Sequence, residues 1–88
     1  MKLKGSKILI TGGSSGIGLA TAKLLISKDA KVVITGRDKK TLKKASDETG
    51  AIPIICDVTN EADVIKMVKN AVKKLDGLDV LINNAGFG

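Results

Sequence analysis

Histidine, tyrosine and tryptophan are absent from these 88 residues. Without His and Tyr the chain lacks the commonest side chains that give up or take a proton near neutral pH. Phe87 is its single aromatic residue; that leaves no platform for stacking bases, and with no nucleic-acid motif present a nucleic-acid partner is not expected. The one cysteine, Cys56, cannot close an internal disulfide and lies in the apolar run Ile52 to Val58, where it reads as a small buried hydrophobe. No stretch of about 20 apolar residues could span a bilayer, and no secretory segment precedes a cleavage site. A cytoplasmic address is expected, with no membrane partner and no metal site.

What is present describes an ordinary globule: 43% hydrophobic residues, 27% charged residues and a net charge of +6. The length has room for one small domain, which buries only ~60% of the surface its unfolded chain exposes and should be modestly stable. The excess charge comes from lysines spread along the chain, among them Lys39, Lys40, Lys43 and Lys44. A positive balance favours an anionic ligand, but such lysines fit solvated helix faces better.

Short apolar runs alternate with longer segments of helical spacing in a β-α-β-α-β-α-β order, without linker or low-complexity tract. The first strand is expected over Lys7 to Thr11, followed by a helix from about Gly16 to Lys28 whose Ile17, Ala20, Thr21, Leu24 and Leu25 share a face. A second strand spans Lys31 to Thr35. Asp38 is placed to cap a helix over Lys39 to Thr49, in which Leu42 and Ala45 are the clear apolar contacts, and Gly50 is placed to end it. The third strand, Ile52 to Cys56, carries Pro53, which has no ladder donor and so belongs at a sheet edge. Thr59 or Asn60 caps the third helix, with Val64, Met67, Val68, Ala71, Val72 and Leu75 at i, i+3, i+4, i+7 spacing; Asp76-Gly77 ends it, and Leu78 to Ile82 forms the fourth strand.

Parallel strands joined by right-handed helical crossovers give an α/β, Rossmann-type doubly wound sheet of strand order 3-2-1-4, with two helices on one face and the third on the other. Ligands of such sheets bind where the connection reverses, between strands one and four. Two segments meet there. Thr11-Gly12-Gly13-Ser14-Ser15-Gly16-Ile17-Gly18 turns from the first strand into the first helix, and its bare glycines, free N–H groups and helix dipole suit a phosphate. Asn83-Asn84-Ala85-Gly86 leaves the fourth strand at the same end.

No lysine follows Gly18, which disfavours ATP or GTP hydrolysis and leaves a dinucleotide pyrophosphate as the natural guest. At the end of the second strand, where an acidic residue would accept from the ribose of NAD, the chain reads Thr35-Gly36-Arg37. An arginine beside that gap suits the 2′-phosphate of NADP, with Ser14 near enough to help. Asp57-Val58 could meet an adenine amino group and ring, or Asp57 could be a turn or cap residue; the residues alone leave both open.

Together these segments resemble the short-chain dehydrogenase/reductase family: residues 11–18 its T-G-x-x-x-G-I-G loop, Asp57-Val58 its adenine-contacting pair, and residues 83–86 its N-N-A-G segment. The resemblance covers nearly the whole chain. It implies NAD(P)(H) binding through Gly12, Ser14, Ser15, Gly16, Ile17, Gly18, Arg37, Asp57, Val58, Asn84, Ala85 and Gly86, with hydride exchange between nicotinamide and an alcohol or carbonyl carbon. NADP is expected over NAD, since Gly36-Arg37 resembles the NADP-preferring members. The family's catalytic serine and Tyr-x-x-x-Lys pair lie beyond N-N-A-G, so no catalytic residue carries over. The chain therefore reads as an amino-terminal cofactor-binding half-domain, inactive alone, whose fourth strand is open to self-association. A stand-alone dinucleotide-sensing or protein-interaction module is the alternative.

Overall fold

The computed structural model describes residues 3–84. Its elements run β1 (Lys7–Thr11), α1 (Gly16–Ser27), β2 (Lys31–Gly36), α2 (Lys39–Thr49), β3 (Ile52–Ile55), α3 (Glu61–Leu75) and β4 (Val80–Asn83). The strands form one parallel sheet in the order β3-β2-β1-β4. This is the expected Rossmann-type order, with Pro53 on the edge strand β3, where its missing donor costs nothing.

Side-chain alternation along the central strands divides the core between two faces. Ile8 and Ile10 of β1 and Val32 and Ile34 of β2 pack with Ala22 and Leu25 of α1 and Leu42 and Ala45 of α2. Leu9 and Val33 point the other way, onto Met67, Ala71 and Leu75 of α3. Both faces of β1 and β2 are thus covered, which is why these strands read as unbroken apolar runs.

Local chemistry sets the helix ends. Asp38 caps α2 by accepting from Lys40 N at 3.0 Å, and Gly50 closes it at φ 83°. Asn60, rather than Thr59, caps α3 by accepting from Asp63 N at 3.0 Å. Glu61 and Asp63 at its start and Lys73 and Lys74 at its end suit the helix dipole.

Two expectations about faces and bounds need correction. In α1 the buried residues are Gly18, Ala22 and Leu25, whereas Ile17 is 78% and Leu24 58% exposed. Apolar residues surround this helix, so periodicity does not select a face; close packing at Gly18 does. Val72 of α3 likewise lies 38% exposed at the margin of its apolar stripe. The fourth strand starts at Val80, not Leu78, because Leu78 packs under α3 and Asp79 brackets the start of β1. Asp79 N donates to the Lys7 carbonyl and Lys7 N donates to Asp79 Oδ2, both at 2.8 Å.

Candidate functional site

The carboxyl ends of β1, β2 and β4 open on a cleft of about 460 Å³. Of the residues expected there, Gly12, Ser14, Ser15, Arg37, Val58 and Asn84 line it. Gly16 lies on the far side of the loop, in a hollow with Ser14 and Ser15 that faces α2. Ile17 points to solvent. Ala85 and Gly86 lie outside the described residues.

The loop between β1 and α1 makes its turn at two glycines of positive φ, Gly12 at 73° and Gly16 at 56°. Gly18 serves close packing instead, since a Cβ there would come within 3.0 Å of the Gly12 carbonyl oxygen and of Asn84 Nδ2. The first turn of α1 therefore packs directly under the loop. Thr11 joins this loop to the end of β4, its hydroxyl donating to Asn83 Oδ1 at 2.9 Å and accepting from Asn84 N at 3.1 Å. Asn84 Nδ2 returns a bond to the Gly12 carbonyl at 3.3 Å.

The three helices differ in how their amino ends are satisfied. Asp38 and Asn60 cap α2 and α3, but Ser15, at the N-cap of α1, makes no side-chain cap bond, and the first turn of α1 holds no acidic residue. The helix end that opens on the cleft is the one among the described residues whose N–H groups no side chain has claimed. Unclaimed first-turn amides and the dipole behind them attract an anion.

On the β2 side, Arg37 is exposed at the cleft's rim, and Gly36 lets Ser14 approach: a Cβ on Gly36 would sit 3.3 Å from Ser14 Oγ. Here the cleft wall carries a guanidinium where a carboxylate would suit a free ribose hydroxyl. On the β3 side, Asp57 acts as a turn residue, Oδ1 accepting from Thr59 Oγ1 at 2.6 Å and from Thr59 N at 3.0 Å. The Thr59 hydroxyl above all, then the Thr59 N–H and the charge of Arg37, hold its carboxyl below the ordinary value. Asp63 accepts from Asp57 N at 2.8 Å and fixes the turn to α3. Val58 and Thr59 face the cleft, while Asp57 is not among its lining residues. Cys56 lies against the cleft with its thiol pushed up by burial and then by Asp63 and Asp57, a direction that disfavours the thiolate.

Sequence reasoning missed Gly13, Thr35 and Thr59. Gly13 is buried where any Cβ would collide with Ile34, and Thr35, fully buried, accepts from Gly12 N. A hydroxyl closing the apolar run Val32-Val33-Ile34 was the available signal, since a buried hydroxyl requires a partner.

A family model described as short chain dehydrogenase matches residues 6–88. The chain is 42% identical over 88 residues to momilactone A synthase of Oryza sativa subsp. japonica, an alignment covering 97% of this chain and 32% of that protein. The crystal structure of 3-ketoacyl-(acyl-carrier-protein) reductase from Brucella melitensis complexed with NADH superposes with a TM-score of 0.92 at 41% identity, over 98% of this chain and 36% of that one. NAD+-bound xylitol dehydrogenase superposes with a TM-score of 0.87 at 35% identity, over 99% of this chain and 35% of that one. The chain spans 25% to 32% of the length of the curated relatives it matches first.

Proposed function

Since the chain belongs to the short-chain dehydrogenase family, we propose that its cleft holds a nicotinamide dinucleotide, NADP(H) in preference to NAD(H), for an oxidoreductase that exchanges hydride with an alcohol or carbonyl carbon. The observation that carries this is the uncapped amino end of α1 at the β1–β4 switch point, with Arg37 and no carboxylate at the end of β2. The residues present fit the group. The first turn of α1 would take the pyrophosphate, which the side-chain-free Gly12 lets come close, the Gly12 N–H itself being given to Thr35 Oγ1. Arg37, with Ser14 beside it, would take the 2′-phosphate in charge-assisted bonds. Val58 would pack on the adenine, and Asp57, positioned by Thr59, would accept from its amino group.

When bound, the nicotinamide supplies or takes up the hydride. This chain's own residues bind and orient: Asn84 and Thr11 hold the loop against the end of β4, and Gly18 brings the helix dipole up to the phosphates. Because the 88 residues contain neither Tyr nor His, the proposal gives them cofactor binding without turnover.

Titration with NADPH and NADH tests it. Tighter NADPH binding is expected, and equal or reversed affinities would sink the NADP preference, the more so since two structural neighbours hold NADH and NAD+. Carbonyl-dependent oxidation of NADPH by these residues alone would overturn the division between binding and turnover.

A further inference from the structure

The loop of residues 12–14 is anchored on β2 as well as on the helix it precedes and the end of β4. Gly12 N donates to Thr35 Oγ1 at 3.3 Å, and Gly13 N donates to the Thr35 carbonyl at 3.2 Å. Gly13 lies so close to Ile34 that a Cβ would overlap its side chain, and Gly36 leaves room for Ser14. Three consecutive loop residues are thereby matched against residues 34–36 of β2. Thr35 is the centre of that match and is fully buried. In a parallel strand covered on both faces the expected residue is another valine or isoleucine. A hydroxyl in that place costs free energy unless it is bonded, and here the Gly12 N–H is its partner.

We infer that Thr35 is a positioning residue for phosphate binding: its hydroxyl and carbonyl draw the Gly12 and Gly13 N–H groups down onto β2 and so hold Ser14 and Ser15 at the cleft wall. This rests on the cleft being the dinucleotide site proposed above. Thr35 and Arg37, two residues apart on one strand, then have separable effects. Thr35 acts on the pyrophosphate that NADPH and NADH share, whereas Arg37 acts on the 2′-phosphate that only NADPH carries.

The test compares Thr35→Val, which keeps the shape and removes the acceptor, with Thr35→Ser, which keeps the acceptor. Thr35→Val should weaken NADPH and NADH alike by about tenfold, because losing one bond to a partly buried amide is worth roughly that factor. The NADPH:NADH ratio should stay at its starting value, and Thr35→Ser should bind both as the unaltered protein does. Unchanged binding by Thr35→Val, a loss confined to one dinucleotide, or equal losses in both variants would each overturn the inference.

Hydrogen exchange at the Gly12 amide, followed by NMR without ligand, gives an independent readout. The amide should be protected in the unaltered protein and in Thr35→Ser and exchange faster in Thr35→Val. An unprotected Gly12 amide in the unaltered protein overturns the inference even where Thr35→Val fails to fold. If neither dinucleotide binds the unaltered protein while Gly12 behaves as expected, the cofactor proposal falls and the Thr35 anchor stands.

Discussion

The side-chain amide of Asn84 donates to the carbonyl of Gly12 at 3.3 Å, joining groups 72 residues apart in the chain. That bond closes the switch-point crevice along one side. Through Thr11, which touches both Asn83 and Asn84, the end of β4 becomes part of the loop's support. Gly18 sits beneath the contact, where helix, loop and β4 come together.

Gly18→Ala should therefore damage stability and binding together. Its Cβ would press on the Gly12 carbonyl and Asn84 Nδ2, and overpacking of this kind costs about 1–3 kcal/mol. Gly16→Ala meets no atom within 4 Å but must hold φ at 56°, a conformational penalty of about 1–2 kcal/mol. Urea unfolding combined with NADPH titration separates the two. Loss of affinity should be larger for Gly18→Ala, and an undisturbed affinity there would argue against the three-way contact.

Arg37→Asp should reverse the choice of dinucleotide. The guanidinium is replaced by a carboxylate that repels a 2′-phosphate and accepts from a ribose hydroxyl. NADPH affinity should drop by more than about tenfold, since charge-assisted bonds contribute roughly 1.5–3 kcal/mol each, and NADH affinity should hold or rise. Parallel losses for both dinucleotides would place Arg37 outside the 2′-phosphate site.

Much of this was legible in the sequence, for physical reasons that differ between elements. The strand order follows from right-handed crossovers, and α3 was readable because Met67, Ala71 and Leu75 repeat at helical spacing amid charge. The α1 face was not, because apolar side chains occur all around it and the deciding contact is the tertiary one at Gly18. The loop glycines were visible as a pattern, but the anchoring of Gly12 and Gly13 by Thr35 depends on a neighbour more than twenty residues away. Whether Asp57 was a turn residue or faced a ligand was open in the sequence; its bonds to Thr59 show the turn, and its adenine contact remains a proposal.

Two leucines adjacent in α1 give a direct check on its corrected face. Leu25 is 8% exposed, and Leu24 is 58% exposed. Leu25→Ala should cost about 2–5 kcal/mol, the usual range for emptying a core position. Leu24→Ala should change stability by no more than about 0.5 kcal/mol, as for surface substitutions generally. Comparable unfolding midpoints for the two variants would contradict a buried face centred on Ala22 and Leu25.

Acid should weaken the fold through Asp38 and Asp57. Thr41 Oγ1 donates to Asp38 Oδ2 at 2.9 Å and Lys40 N to Oδ1 at 3.0 Å, and the Thr41 hydroxyl above all holds this carboxyl below its ordinary value of 3.8. Asp57 is held low in the same direction, by the Thr59 hydroxyl first. A carboxyl lowered in the folded state contributes stability that is fully present above the unfolded value and is lost as pH falls through the folded one. The loss should thus begin as pH drops toward 3.8 and be complete below the lowered value. Asp38→Asn keeps a capping oxygen but cannot titrate. The unaltered protein should exceed it in urea midpoint at about pH 6, and the gap should narrow progressively as pH is taken below 3.8. A gap that persists unchanged at the lower pH would show that the charge on Asp38 is not what stabilises the start of α2.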